Sequence, residues 1–206
     1  MSVQPSLLDQ PAPHILRRAF LPVAEHRAIL DWSLAHRACF APSLVDSAQL
    51  RANIRSSLTA RLPEQAWVEA FRRRVLDAVP ALASDLGMAP FAPETVQLSL
   101  IAYNDGDFYR PHVDTETSPA RKSDRVLSAV YYFHTEPKAY SGGELRLHAF
   151  NPASNRSADI APEQNALLAF ASFARHEVRP VACPSGRFED SRFAINCWVR
   201  RALPAQ

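Results

Sequence analysis

His112-Val113-Asp114 sets an imidazole and a carboxylate two residues apart. On a β-strand, residues i and i+2 point to the same face, so both groups can reach one metal ion from a rigid backbone. A third donor has to come from elsewhere. His176 offers one, in Phe173-Ala174-Arg175-His176-Glu177-Val178, after the apolar run Ala166-Leu167-Leu168-Ala169-Phe170. Two histidines and one carboxylate on one face of a metal leave the opposite coordination positions open to small molecules. Alone, an H-x-D is a weak signal that arises readily by chance. His14, His26, His36, His134 and His148 have no partner at metal spacing. Glu177, next to His176, falls on the other strand face.

The elements that must position these groups are legible in the hydrophobic pattern. Residues 1–19 are Pro-rich and polar and read as an irregular arm. Pro22 suits a first helical turn, with Val23, Leu30 and Leu34 on one face. Pro63 opens a second helix, in which Trp67, Phe71, Val75, Val79, Leu82 and Leu86 form one apolar stripe. A one-sided stripe is what a helix covering a sheet requires. Pro80 is expected to kink that helix or end it early.

After residue 93 the period becomes that of strands. The run 95–103 stops at the turn Asn104-Asp105-Gly106. Further strands are expected at 108–114, 125–134, 144–149, 157–160, 167–173, 175–180 and 192–200. Short strands with turn residues between them predict a sandwich or barrel rather than βαβ units. The predicted fold is mainly β with N-terminal helices, a jelly-roll core. Residues 1–92 supply the arm and supporting helices, and residues 93–206 the functional domain, as one structural unit.

Composition narrows the function classes. Lys+Arg 23 against Asp+Glu 21, a net charge of +2, gives no basic excess for a nucleic-acid partner. Cys39, Cys183 and Cys197 lie far apart with no C-x-x-C pair, which argues against a disulfide framework and a structural zinc site. The N-terminus lacks a basic start followed by an apolar core, and no apolar run approaches the roughly 20 residues that span a bilayer. The expectation is a cytoplasmic protein with no membrane partner.

From about residue 95 to 200 the sequence resembles the 2-oxoglutarate- and Fe(II)-dependent prolyl hydroxylases. The matching stretches are Tyr103-Asn104-Asp105-Gly106 leading into His112-Val113-Asp114, and Arg125-Val126-Leu127 with Val130-Tyr131-Tyr132. Ser141-Gly142-Gly143-Glu144-Leu145-Arg146-Leu147, Ile160-Ala161-Pro162 and His176-Glu177-Val178 with Pro180 follow. Arg192-Phe193-Ala194-Ile195 with Trp198 closes the match. The first 90 residues match only loosely, through Ile54-Arg55-Ser56-Ser57. The resemblance implies a double-stranded β-helix and a dioxygenase that hydroxylates an unactivated C–H. His112, Asp114 and His176 would hold Fe(II), with 2-oxoglutarate as cosubstrate beside O2.

By the same resemblance Arg192 grips the far carboxylate of 2-oxoglutarate, which suits a guanidinium fork. Tyr132 assists it and Tyr103 lines the pocket. Arg179 falls on the opposite strand face from His176, and Arg187 lies in a Pro- and Gly-marked loop. Asn196 departs from a residue that is often Thr in the oxygen-sensing relatives. Ascorbate binding is a family trait that need not extend to this chain. The segments 117–124 and 135–141 are expected to border the substrate entrance.

The implied substrate is a prolyl residue of a protein or peptide, with a small molecule such as a free amino acid as the alternative. An open groove beside 117–124 would favour the peptide, a covered pocket the small molecule. The missing R-x-N-x-T-x-R ending speaks against a nucleic-acid demethylase, and Asp114 against a halogenase. A non-catalytic jelly-roll binding module is the alternative from another class; the triad and Arg192 weigh against it.

Overall fold

The structure is a computed structural model, and it describes residues 6–44, 51–116, 118 and 121–203. In chain order the described strands and helices are β1 (His14–Arg17), α1 (Val23–Ala35), β2 (Phe40–Pro42), β3 (Arg55–Ser56) and β4 (Leu58–Ala60). Then come α2 (Ala66–Asp85), β5 (Thr95–Tyr103), β6 (Phe108–His112), β7 (Ser123–Phe133), β8 (Ser141–Gly142) and β9 (Leu145–His148). The chain ends with β10 (Ser157–Ile160), β11 (Ala166–Ala171), β12 (His176–Val178), β13 (Val181–Ala182) and β14 (Arg192–Ala202). Among the described residues no helix is long and apolar enough to cross a membrane.

A seven-stranded sheet, ordered β1-β11-β7-β14-β5-β4-β2, faces a five-stranded one, ordered β10-β9-β12-β6-β3. This is the predicted jelly-roll. Strict alternation divides the central strands between two layers. Phe193, Ile195, Cys197 and Val199 of β14 join Leu127, Ala129, Tyr131 and Phe133 of β7 against the stripe of α2, which contributes Phe71, Val75, Val79 and Leu82. Val130, Tyr132, Leu168, Phe170 and Ala194 point the other way, toward Leu145 and Leu147 of the smaller sheet. Burial on both faces is why these strands carry near-continuous apolar runs.

Several local expectations change. The N-terminal arm is not irregular throughout: β1 pairs antiparallel with β11, from His14 opposite Phe170 to Arg17 opposite Leu167. The open edge of β11 supplies a template that Pro-rich flanks and a four-residue run do not advertise. Helix α1 buries Ile29, Leu30 and Ser33, while Val23, at its first position, is 80% exposed. Helix α2 starts at Ala66 rather than at Pro63 and continues past Pro80 to Asp85. Pro80 sits on the exposed face, and Val79, Leu82 and Ala83 hold the inner face.

Strand β6 ends at His112, so Asp114 lies past the strand and not on it. Pro111 has no N–H for the ladder. The pairing to β12 slips there, with His176 opposite His112 but Val178 opposite Tyr109.

Asn165, with φ +53°, pins the chain entering α1. Its Oδ1 accepts from the Leu21 backbone N–H at 2.9 Å and from the Tyr131 hydroxyl at 3.0 Å, and its Nδ2 donates to the Leu21 carbonyl at 2.8 Å. Asn165→Ala removes all three and leaves a residue less tolerant of that φ. A urea titration should show a loss of about 2 kcal/mol or more, since each net hydrogen bond contributes about 1 kcal/mol; an unchanged midpoint would mean the entry to α1 is held by packing alone.

Candidate metal centre and groove

The antiparallel pairing of β6 with β12 sets His176 directly opposite His112. Their ring centroids are 4.2 Å apart. His112 Nε2 lies 3.8 Å from Asp114 Oδ1, and His176 Nε2 lies 3.6 Å from Asp114 Oδ2. One ligand atom from each of the three falls within 4.8 Å of the others, so the three predicted donors converge on one point. Glu177 turns away, as alternation demands, to His148, Arg179 and Arg146.

Each donor is oriented by a neighbour. His112 Nδ1 bonds the Arg110 carbonyl at 2.8 Å and His176 Nδ1 the Ala174 carbonyl at 2.9 Å. A carbonyl only accepts, so both imidazoles carry their proton on Nδ1 and turn a bare Nε2 to the centre. The Ser128 hydroxyl donates to Asp114 Oδ2 at 2.7 Å and lies 2.9 Å from Ser172 Oγ. The Asp114 backbone N–H is held by the Ser172 carbonyl at 2.9 Å.

Burial first, and then the neighbouring His176, push the His112 pKa down from 6.5 to about 3, with Asp114 opposing. Burial alone would raise Asp114; His176, His112 and hydrogen bonds from Ser128 and Trp198 together hold it below the ordinary carboxylate value. Neutral imidazoles and an ionised carboxylate are the forms that bind a divalent cation.

Arg192, at the start of β14, is 1% exposed. Its Nε donates to the Gly143 carbonyl at 2.8 Å, and its guanidinium lies 5.0 Å from the Tyr103 ring and 4.9 Å from the Tyr132 ring. A Cβ on Gly143 would stand 2.6 Å from Arg192 Cδ, so only glycine lets this arginine lie there. Arg192 Nη2, Tyr132 Oη and Tyr140 Oη are all buried without a hydrogen-bond partner. Burial pushes the Tyr140 hydroxyl up to about 12 and Tyr132 higher still, so both remain protonated donors. Tyr103, Arg192 and the three metal donors line one inner pocket with Asn196 and Trp198. Its free space is about 20 Å³, room for roughly one water.

The pocket opens on a groove of about 1040 Å³ that shares Tyr109, His112, Asp114, Asn196 and Trp198 and adds Arg55, Arg121 and Arg125. Within the segment expected at the entrance, Ser118 and Arg121 line this groove, while 117, 119 and 120 lie outside the described residues. The segment 135–141 does not line it. Tyr140 of that segment turns inward and is 6% exposed, and Thr135 bonds the Glu189 carbonyl. Arg187 is exposed and paired with Asp190 at 2.8 Å. Sequence reasoning passed over Ser128, although a serine in phase with Tyr132 on a buried face was a signal. Tyr140 sits in a loop with no periodicity to reveal it.

The model of the 2OG-Fe(II) oxygenase superfamily matches residues 98–200. The chain belongs to this superfamily. An uncharacterized PKHD-type hydroxylase of Synechocystis is 39% identical over 138 residues, and a PKHD-type hydroxylase of Maricaulis maris is 30% identical over 122. These matches cover 64% and 58% of the chain but 45% and 50% of the relatives, so the chain spans about half their length. A Pseudomonas putida prolyl-4-hydroxylase structure superposes with TM-score 0.69 at 24% identity, covering 93% of this chain and 94% of that one. A Trichoplax adhaerens prolyl hydroxylase, in complex with a hypoxia inducible factor peptide fragment, gives 0.65 at 22%, covering 94% and 87%. At these identities the two structures establish the oxygenase fold. Fe(II), 2-oxoglutarate and O2 are the cofactor and cosubstrates of the superfamily, and the His-Asp-His cluster fits the metal.

Two outcomes follow from this geometry. Ser128→Ala should weaken Fe(II) or Mn(II) binding by about 10- to 100-fold in a metal titration, the usual effect of removing a group that orients a ligand. An affinity equal to wild type would show that Asp114 needs no such support. In the metal-free protein the unfolded chain protonates His112 near 6.5, while the fold resists until about 3. Stability is therefore full above about pH 6.5 and falls as the pH drops toward 3. Thermal midpoints measured in chelator across this window should decline; a flat profile for His112→Gln beside a declining wild type would assign the effect to this residue.

Proposed function

We propose that the chain is an Fe(II)- and 2-oxoglutarate-dependent hydroxylase whose substrate is a prolyl residue in a peptide segment laid along the outer groove. The observation that carries this reading is a His-Asp-His cluster at the junction of two compartments, one closed and lined by unpartnered donors, the other open. Iron bound at His112, Asp114 and His176 would supply dioxygen activation, with 2-oxoglutarate oxidised to succinate and carbon dioxide as the C–H is hydroxylated. The rest falls to the chain. Arg192, which lines the inner pocket, and the neighbouring Tyr132 and Tyr140 each keep a buried polar atom without a partner, and a terminal carboxylate would satisfy all three. With about 20 Å³ free, the inner pocket has to widen to admit the dicarboxylate. Val130, Leu145 and Val178 exclude water from this end.

The open groove favours a peptide over a free amino acid, because a small substrate is normally enclosed by its site. The prolyl hydroxylases of like fold, one of them bound to a peptide fragment, support the same substrate class. The reading also includes the division at residue 92/93, with 93–206 carrying the chemistry.

The test is succinate formation with proline-containing peptides and a one-oxygen mass gain on the peptide, with and without ascorbate. Asp114→Ala should abolish both signals in a folded protein. Arg192→Ala should raise the 2-oxoglutarate requirement tenfold or more, since a charge-assisted contact is worth about 1.5–3 kcal/mol. Arg192→Lys should recover part of that loss, and Arg187→Ala should leave the requirement near wild type. A raised requirement in Arg187→Ala alone would move the anchor to the loop.

A further inference from the structure

We propose that the outer groove selects a peptide carrying a carboxylate close to the oxidised residue, and that Arg55 receives it. The inference rests on the hydroxylase reading and names the substrate class for the same site. Arg55 opens β3, and its guanidinium lies 4.9 Å from the Tyr109 ring, whose face is stacked on the metal-ligand imidazole of His112 at 3.7 Å. The cation therefore stands one aromatic ring from the metal centre.

Its position is fixed. Arg55 Nε donates to Ser57 Oγ at 2.9 Å, and that buried hydroxyl is bonded in turn to Ser43 at 2.7 Å. Yet Arg55 Nη2 is buried with no hydrogen-bond partner, and among the described residues no carboxylate forms an ion pair with it. The other groove arginines are matched: Arg121 by Asp124 at 2.7 Å and Arg125 by Glu116 at 3.1 Å. Glu116 is further held by Arg200 at 2.7 Å, so it is not free to turn toward Arg55. The remaining groove carboxylate, Asp114, faces the metal. A buried, unpaired guanidinium nitrogen is costly, and a ligand that brings an acceptor to it removes that cost.

Thr115 Oγ1 and Arg125 Nε, on the same groove wall system, are also buried without a partner. One open cation on a groove that also carries an open hydroxyl matches a singly charged carboxylate. A phosphate group would demand more donors than these, such as a glycine nest or helix N-terminus, and the described residues lining the groove present neither. The carboxylate would belong to an Asp or Glu side chain within about two residues of the target proline, at ~3.4 Å of extended chain per residue.

The experiment uses the full chain and heptapeptides with a central proline, each with Asp or the isosteric Asn at one flanking position. Wild type should favour an Asp peptide at least tenfold in kcat/KM at one or more positions. Arg55→Gln should bring that ratio close to one, Arg55→Lys should keep part of it, and Arg61→Gln, an exposed arginine outside the groove, should keep all of it. Any general damage from Arg55→Gln lowers both peptides alike and leaves the ratio informative. No acidic preference in wild type, a ratio that survives Arg55→Gln, or a stronger preference for phosphoserine peptides would overturn the proposal. The same peptide pairs are titrated by calorimetry into Mn(II)- and 2-oxoglutarate-loaded protein. A tenfold tighter Asp peptide there, lost in Arg55→Gln, supports the inference even if no peptide is hydroxylated, which would count against the hydroxylase reading alone.

Discussion

Strand β14 is hydrogen-bonded on both edges, to β5 and β7, and buried on both faces along its first half. Every residue in that stretch must belong to one of two layers, and a slip of one position would exchange them. In the observed register Phe193, Ile195, Cys197 and Val199 pack on the helical side. Arg192, Asn196 and Trp198 then have nowhere to go but the pocket between the sheets. The apolar layer thus fixes the polar one. Burial of four large or medium side chains against α2, each worth about 1.5–3 kcal/mol when fully covered, outweighs the cost of confining one guanidinium.

The same logic operates on β7, where Leu127, Ala129, Tyr131 and Phe133 face the helices and Ser128, Val130 and Tyr132 face inward. Two neighbouring strands therefore bring the Asp114 hydrogen-bond donor Ser128, the Arg192 cation and the Tyr132 ring to the inner face of the larger sheet. The histidines arrive from the opposing sheet through the β6–β12 pair. A centre assembled from two facing sheets is held by the separation of the sheets, and that separation is set by side chains such as Phe170, whose ring stands 4.7 Å from His176. Packing and coordination are one constraint.

Much of this was legible in the sequence because period-two alternation and metal-ligand spacing are both short-range signals. The strands 95–103 and 157–160 begin and end where the pattern changes, and His112, Asp114 and His176 meet as expected. What escaped depends on partners distant in sequence. The strands β1 to β4 have two to four residues each; β1, β3 and β4 pair with the edge of a longer strand, and β2 with β4 in turn. Residues 135–141 are expected at the entrance from the family resemblance, but Tyr140 is buried and lies near Arg192. Asp114 lies beyond the strand end because of Pro111, whose missing donor shifts the register.

Arg192 and Arg55 show what composition cannot convey. The chain holds many arginines, and most of those described are matched to a carboxylate at the surface, where an ion pair contributes little. Arg192 and Arg55 are not so matched; each rests on aromatic rings and keeps a buried nitrogen without a partner. Aromatic faces stabilise a cation without consuming its hydrogen-bond donors. A guanidinium held in this way stays fixed in direction while its donors remain available. The two line different compartments beside the metal cluster, Arg192 the closed pocket and Arg55 the open groove. The fold thus leaves open guanidinium donors in both compartments that meet at the cluster, while most other described arginines sit in surface pairs that contribute little.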